Sequence, residues 1–170
     1  MSGGMELYLH MPFCVRKCAY CDFLSFPSGA ETQRMYAKRL MKDIDVMGKR
    51  YGEIPVETIF IGGGTPSVPD SGLIVEIMEH VRHAFHVADG AEISMEANPG
   101  TVTREKLTDY RKAGINRLSF GLQSANDREL KLLGRIHTWA EFLESFTLAR
   151  ECGFANLNID LMSALPGQTC

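Results

Sequence analysis

The fold is decided by Val56-Glu-Thr-Ile-Phe-Ile61, the later run Ser71-Gly-Leu-Ile-Val-Glu-Ile-Met-Glu-His-Val-Arg-His-Ala-Phe-His86, and Glu92-Ile-Ser-Met-Glu-Ala97. The first and last runs are short and rich in apolar or β-branched residues, which predicts strands. In the run between them, apolar residues recur at helical spacing, so a helix with one apolar stripe is predicted. A strand, a helix and a strand in this order predict two parallel strands joined by a right-handed crossover.

The same alternation extends along the chain in both directions. Strands are predicted at Glu6–Phe13, Val56–Ile61, Glu92–Ala97, Arg117–Gln123 and Asn156–Leu161. Helices are predicted at Gln33–Lys49, Ser71–His86, Arg104–Ala113, and from the capping-box pair Thr138 and Glu141 to Cys152. This order indicates an α/β domain with a parallel sheet, which is either doubly wound or curved into a barrel.

In the later strands every second residue is small or polar, while its neighbours are apolar. The polar set is Ser94, Glu96, Asn98, Ser119, Gly121, Gln123, Asn156, Asn158 and Asp160. Doubly wound sheets are covered on both faces, so their strands are usually apolar throughout, whereas a barrel can line its interior with ligand-binding groups. We therefore predict a partial parallel (β/α) barrel of about five βα units, with its site at the carboxyl ends of the strands.

The chain stops shortly after the fifth predicted strand, with no helix to cover it. A parallel edge left open in this way is an aggregation hazard. We therefore expect residues 1–170 to be the N-terminal part of a longer domain, truncated at its C-terminus.

Composition and charge argue against several function classes. The 18 basic and 21 acidic residues are mixed along the chain and leave a formal net charge of -3, so no basic surface for nucleic acid is predicted. No apolar run approaches the ~20 residues that span a bilayer, and the start lacks the features of a signal peptide. We expect a cytoplasmic protein with no transmembrane segment and no nucleic-acid partner.

Three cysteines lie within Cys14-Val-Arg-Lys-Cys18-Ala-Tyr-Cys21, just after the first predicted strand. Loops this short suit metal ligation better than disulfides. An iron-sulfur cluster held by three protein thiolates keeps one iron open for another molecule. The alternative is a structural zinc site, which needs four ligands, with His10 as the fourth.

This loop, with Tyr20 before its last cysteine, resembles the cluster loop of the radical S-adenosylmethionine (SAM) superfamily. Further motifs resemble the branch of that superfamily that contains oxygen-independent coproporphyrinogen III oxidase and the radical SAM haem chaperone. These motifs are Tyr8-Leu-His-Met-Pro-Phe-Cys14, Gly62-Gly-Gly-Thr-Pro66, Glu96-Ala-Asn-Pro99, Phe120-Gly-Leu-Gln-Ser124, Leu133-Gly-Arg-Ile-His137, Asp160-Leu-Met162 and Leu165-Pro-Gly-Gln-Thr169. On this resemblance, residues 1–170 are the N-terminal part of a radical SAM core domain, without the rest of the barrel and the C-terminal domain.

The resemblance implies a 4Fe-4S cluster on Cys14, Cys18 and Cys21 whose open iron binds SAM, and cleavage of SAM to a 5′-deoxyadenosyl radical. The SAM pocket that it implies consists of Glu96, Gln123, Arg135 and Asp160, with Tyr8 and Tyr20 packed beside it. The alternative for the polar groups at the strand ends is a hydrogen-bonded network that only shapes the barrel. For Arg135 the alternative is a surface charge.

The loop Gly62-Gly63-Gly64-Thr65 lacks side chains where a ligand must come close to the backbone, and exposed amides in such a loop can bind a carboxylate. We therefore predict that Gly63, Gly64 and Thr65 contact the cofactor. The alternative is a tight turn between a strand and a helix, for which one glycine would suffice.

The two members of this branch differ just after the third cysteine. The oxidase carries a further cysteine two residues after the third ligand, in a CxxxCxxCxC pattern. Here Cys21 is followed by Asp22-Phe23, which favours resemblance to the haem chaperone. The alternatives are coproporphyrinogen III oxidase of porphyrin biosynthesis and an inactive fragment. The expected partners are SAM, haem or a porphyrinogen, and an electron donor for the cluster.

Enzymatic activity stays open at this point. An oxidase would be a SAM-cleaving oxidoreductase of the coproporphyrinogen dehydrogenase type, whereas a chaperone would bind haem and deliver it to apoproteins. No catalytic residue is assigned from the sequence. The resemblance also supports no haem ligand in this chain, although His10 and His137 have the required chemistry.

Overall fold

Strands and helices alternate in the computed structural model, which describes residues 3–168. The strands are β1 Met5–Met11, β2 Phe13–Cys14, β3 Phe26–Pro27, β4 Val56–Gly63, β5 Val87–Ala97, β6 Arg117–Gln123 and β7 Asn156–Leu161. The helices are α1 Ala30–Tyr51, α2 Ser71–Ala84, α3 Arg104–Lys112, α4 Asp127–Leu132 and α5 Trp139–Glu151. Thr169, the last residue of one quoted motif, and Cys170 lie outside the described residues. In the described part of the chain, no helix is both long and apolar enough to cross a membrane.

The main sheet has the order β1-β4-β5-β6-β7, and every neighbouring pair is parallel. Each crossover therefore advances by one strand in the same direction. Right-handed crossovers then place α1, α2, α3 and α5 on one face of the sheet, where their buried apolar residues join the core. A doubly wound sheet would reverse the direction of winding part-way and carry helices on both faces. The predicted partial barrel is thus confirmed.

The hydrophobic core lies between the sheet and the helices. Ile59 and Ile61 of β4 and Met95 of β5 are at most 1% exposed, and the apolar stripe of α2 packs against them. Full burial of one such side chain contributes about 1.5–3 kcal/mol. The apolar stripe that defined this helix in the sequence is therefore the surface that fixes it on the sheet.

The other face of the sheet carries the polar residues. Ser119 lies between Glu96 of β5 and Asn158 of β7, and Gly121 lies beside Asp160. Because side chains alternate between the two faces of a strand, this register brings the predicted polar set to one surface.

Three elements differ from the sequence-based expectation. The first strand ends at Met11 because Pro12 has no N–H to donate, and Phe13 pairs instead with Phe26 in a separate two-stranded sheet. Strand β5 begins at Val87, five residues before the predicted start, through a register shift that includes Gly90 at φ 79°. Helix α4 has only six residues, too few to show a helical period.

Helix α5 begins with the predicted capping box. The Thr138 hydroxyl accepts a hydrogen bond from the Glu141 amide at 3.3 Å, and the Glu141 carboxylate accepts the Thr138 amide at 2.7 Å. These bonds satisfy amides that have no partner within the helix. The Thr138 amide and hydroxyl, as donors to the carboxylate, lower the pKa of Glu141 from 4.5.

We expect Thr138→Ala to lower the free energy of unfolding by about 1 kcal/mol, because it removes the cap. The deficit should be largest above pH 4.5 and shrink as the pH falls through the lowered pKa of Glu141, where the carboxylate is protonated in both proteins. Urea unfolding followed by circular dichroism measures the loss. Thr147→Ala, at an exposed position of the same helix, is the matched control. An equal loss in both variants would contradict a specific cap.

Candidate functional site

A cavity of about 150 Å³ opens at the carboxyl ends of the strands. It brings together eleven of the twelve residues predicted for the site, all except Tyr8. These are Cys14, Cys18, Tyr20, Cys21, Gly63, Gly64, Thr65, Glu96, Gln123, Arg135 and Asp160. The location is the one expected for a barrel, because side chains and loops from several strands converge there.

The three cysteines of the loop line this cavity as free, partly exposed thiols. Among residues 3–168, no group of three or more His, Cys, Asp or Glu side chains is arranged around a single metal-ion position. A structural zinc ion needs four ligands around one point. In a 4Fe-4S cluster each thiolate binds its own iron, so three thiolates can hold a cluster and leave one iron open.

The cysteine loop is docked on the turn that follows α4. The Ala19 amide donates to the Leu133 carbonyl at 3.0 Å, and the Arg16 guanidinium donates to the Gly134 carbonyl at 2.7 Å. Gly134 has φ 75°, which favours glycine, and a Cβ there would lie 3.3 Å from the Ala19 nitrogen. Two segments far apart in sequence are therefore held together beside the thiols.

Arg135 is one of the three basic residues that line the cavity, with Arg16 and Lys17. Its guanidinium donates to Cys18 Sγ at 3.5 Å, to Asn98 Oδ1 at 2.7 Å and to the Gly121 carbonyl. It also opposes the rise that burial causes in the pKa of Tyr20. The guanidinium Nε is buried and has no acceptor among the described residues. Arg135 is therefore not a free surface charge, and its buried Nε–H remains available for an acceptor on a ligand.

Two carboxylates lie at the ends of β5 and β7. Glu96 accepts the Gly63 amide at 3.0 Å, and burial raises its pKa although this hydrogen bond acts in the opposite sense. Asp160 accepts the Ser119 hydroxyl at 3.0 Å and the Asn158 amide at 2.8 Å. Glu96 in particular is a partly desolvated acceptor, which a cation or a hydrogen-bond donor on a ligand would stabilise.

The glycine loop packs mainly against the protein itself. The Gly64 amide donates to the Met11 carbonyl at 2.8 Å, and the Thr65 amide donates to the Phe13 carbonyl at 2.7 Å. A Cβ at Gly64 would lie within 2.8 Å of these same backbone segments. The three amides from Gly63 to Thr65 thus already have acceptors, so they do not form the open anion-binding loop that the sequence suggested. Gly63, Gly64 and Thr65 nevertheless form part of the cavity wall.

Tyr8 is not among the residues that line the cavity. Its ring stacks on Phe60 with centroids 6.1 Å apart, and its hydroxyl lies 3.1 Å from Nδ1 of His10. The other ring nitrogen of His10 contacts the Leu24 carbonyl at 3.0 Å, which places this histidine beside the cysteine loop. His137 is only 4% exposed and does not line the cavity.

Further residues line the cavity that the sequence did not single out as site residues, among them Asn98, Ser119, Arg16 and Lys17. The alternation of polar residues already pointed to Asn98 and Ser119, but no sequence pattern distinguishes the two basic residues. Gln123 lies at the end of β6 with φ 73°, a conformation that non-glycine residues seldom adopt and that often occurs at functional sites.

Known proteins are similar to this chain in sequence and in fold. The family model described as "Radical SAM superfamily" matches residues 8–169. The chain is 43% identical over 166 residues to heme chaperone HemW of Escherichia coli K12, and this match covers 97% of the chain and 44% of that protein. It is 38% identical to HemW of Bacillus subtilis, with 95% and 43% covered. The chain thus spans less than half the length of these curated relatives.

Solved structures give the same result. The chain matches coproporphyrinogen III oxidase (HemN) of Escherichia coli with a TM-score of 0.91 and 31% identity, over 98% of this chain and 38% of that one. HydG, a maturase of the [FeFe]-hydrogenase, matches with a TM-score of 0.63 at 14% identity, which shows a shared fold alone. Since the family model covers nearly all of the sequence, the chain belongs to the radical SAM superfamily, which implies SAM and a 4Fe-4S cluster as cofactors.

Proposed function

We propose that this chain carries a 4Fe-4S cluster on Cys14, Cys18 and Cys21, binds SAM in the adjoining cavity, and belongs to a haem chaperone. The observation that carries the proposal is that the three thiols and the predicted SAM-binding groups line one cavity. In this superfamily, SAM bound at the open iron is the source of a 5′-deoxyadenosyl radical.

The charged groups of the cavity suit the two cofactors. The Arg135 guanidinium donates to the Cys18 sulfur, where its positive charge would offset the negative charge of a bound cluster. SAM offers an ammonium group and ribose hydroxyls, which are donors for the carboxylates of Glu96 and Asp160. Its own carboxylate is an acceptor for the buried Nε–H of Arg135. The charged groups that line the cavity therefore fit both the cluster and SAM.

The haem chaperone function rests on the sequence relatives and on the residues after the third thiol. HemW proteins from Escherichia coli and Bacillus subtilis are 43% and 38% identical to this chain. The oxidase pattern has a further cysteine two residues after the third ligand, and Phe23 occupies that position here. We also propose that residues 1–170 form the N-terminal part of a radical SAM core, since they align with less than half of each relative.

Oxidation of coproporphyrinogen III is the second candidate function. It is supported by the TM-score of 0.91 with the Escherichia coli oxidase. Haem titration and anaerobic conversion of coproporphyrinogen III, both with the full-length protein, distinguish the two candidates. Haem binding without conversion would support the chaperone, whereas conversion would favour the oxidase. The absence of both haem binding and conversion would remove both candidates.

We expect anaerobic reconstitution to load about four irons per chain, with an absorbance and spin-resonance spectrum typical of a 4Fe-4S cluster. Replacing Cys14, Cys18 and Cys21 together by Ala should abolish iron binding, because no thiolate of the loop remains. Cys152→Ala is the matched control, since this free thiol lies at the end of α5, outside the cavity. Iron retained by the triple variant, or zinc in its place, would overturn the proposed ligands.

We expect Glu96→Gln to weaken SAM binding to the reconstituted protein by about tenfold to a hundredfold, because a hydrogen bond to a charged group contributes about 1.5–3 kcal/mol. SAM titration followed by the spin-resonance spectrum gives the affinity. Glu92→Gln is the control, because Glu92 is on the same strand but does not line the cavity. Equal SAM affinity in Glu96→Gln and the parent protein, at equal iron content, would show that Glu96 does not contact SAM.

A further inference from the structure

Asn98 lies directly after β5 and connects two residues that reach different thiols. Its Nδ2 donates to Thr65 Oγ1 at 2.8 Å, and its Oδ1 accepts from the Arg135 guanidinium at 2.7 Å. A guanidinium has donors only, so the amide oxygen must face Arg135 and the amide nitrogen must face Thr65. The orientation of the side chain is thereby fixed by its partners.

Both partners continue to a sulfur atom. Arg135 Nη1 donates to Cys18 Sγ at 3.5 Å, and Thr65 Oγ1 lies 3.6 Å from Cys14 Sγ. Since Thr65 Oγ1 already accepts a hydrogen bond from Asn98, its own hydrogen can point to the Cys14 sulfur. One amide side chain therefore links two thiols of the cysteine loop through residues of two other loops.

The backbone of Asn98 is also held in place. Its amide donates to the Ser67 hydroxyl at 3.2 Å, and its carbonyl accepts the Thr101 hydroxyl at 2.7 Å. These two hydroxyls lie 2.5 Å apart, which joins the loop after β4 to the loop after β5. Asn98 is thus anchored from both sides, as a residue that positions others must be.

We propose that Asn98 is a positioning residue that holds Arg135 on Cys18 and Thr65 on Cys14 and thereby raises the reduction potential of the cluster. This inference rests on the proposed cluster ligands. Hydrogen bonds and positive charge at cluster sulfurs stabilise the more negative, reduced form. Without Asn98, the guanidinium loses one acceptor and the Thr65 hydroxyl loses the donor that orients it.

The test is a redox titration of the reconstituted protein with and without Asn98→Leu, followed by spin resonance. We expect the reduced-to-oxidised ratio at a fixed potential to fall by about threefold to tenfold, where tenfold corresponds to about 59 mV for one electron. In an Arg135→Met background the same substitution should have a smaller effect, because only the route through Thr65 remains. Full additivity of the two substitutions would overturn the proposal.

Asn116→Leu is the matched control. Its side-chain Nδ2 donates to the Ala91 carbonyl at 2.8 Å, and its Oδ1 accepts from the Ile93 backbone amide at 2.9 Å, near the opposite end of the same sheet. We expect it to lower stability and leave the potential unchanged. An unchanged potential in Asn98→Leu at full iron content would overturn the proposal, whereas a parent protein that binds no iron would overturn the proposed cluster ligands instead.

Asn98→Ala is the second variant, in case leucine disturbs the packing of the cavity. If neither variant holds iron, the rate of amide hydrogen exchange in the iron-free chains tests the proposal. Faster exchange at the Ala19 amide, which donates to the turn before Arg135, would support a positioning role. Exchange as slow as in the iron-free parent protein would overturn it.

Discussion

The parallel strands of the main sheet follow one another in chain order, and this constraint places all their carboxyl ends at one edge. The loops that leave those ends carry the glycines after β4, Asn98 after β5 and Gln123 at the end of β6. Residues from distant parts of the chain meet there, and hydrogen bonds between the loops, such as those of Asn98 to Thr65 and Arg135, hold them in place. Helices on the opposite face bury the apolar halves of the same strands, so the polar halves remain available to a ligand.

A second constraint is the docking of the cysteine loop. With three partly exposed thiols and no regular structure between Cys14 and Cys21, this loop has little to hold it by itself. Its position comes from hydrogen bonds to the turn after α4, and Arg135 of that turn also reaches Asn98 and Cys18. The cavity is therefore built on a hydrogen-bonded frame in which most donors and acceptors already have partners. The buried Nε–H of Arg135 is an exception, and it is the kind of group that a bound ligand satisfies.

The glycine loop shows how a sequence signal can have a different physical cause from the one expected. The absence of side chains predicts room for a cofactor, yet a Cβ at Gly64 would meet the backbone of Met11 and Phe13, and one at Gly63 would meet the ring of His10. The glycines allow β1 and β4 to approach closely at their carboxyl ends. This close approach brings the cysteine loop, which follows β1, beside the residues that follow β4.

The local sequence pattern predicts the parallel α/β architecture and most helix and strand positions, because apolar periodicity is a local property. The cysteine spacing, the glycine loop and the family resemblance together predict eleven of the nineteen residues that line the cavity. The local pattern missed α4 and the pairing of Phe13 with Phe26, because a six-residue helix shows no period and a two-residue strand depends on a distant partner. The stacking of Tyr8 on Phe60, the bonded glycine amides and the link from Thr65 through Asn98 to Arg135 follow only from the folded chain. These contacts join residues whose separation depends on how the loops pack, and packing involves all parts of the chain at once.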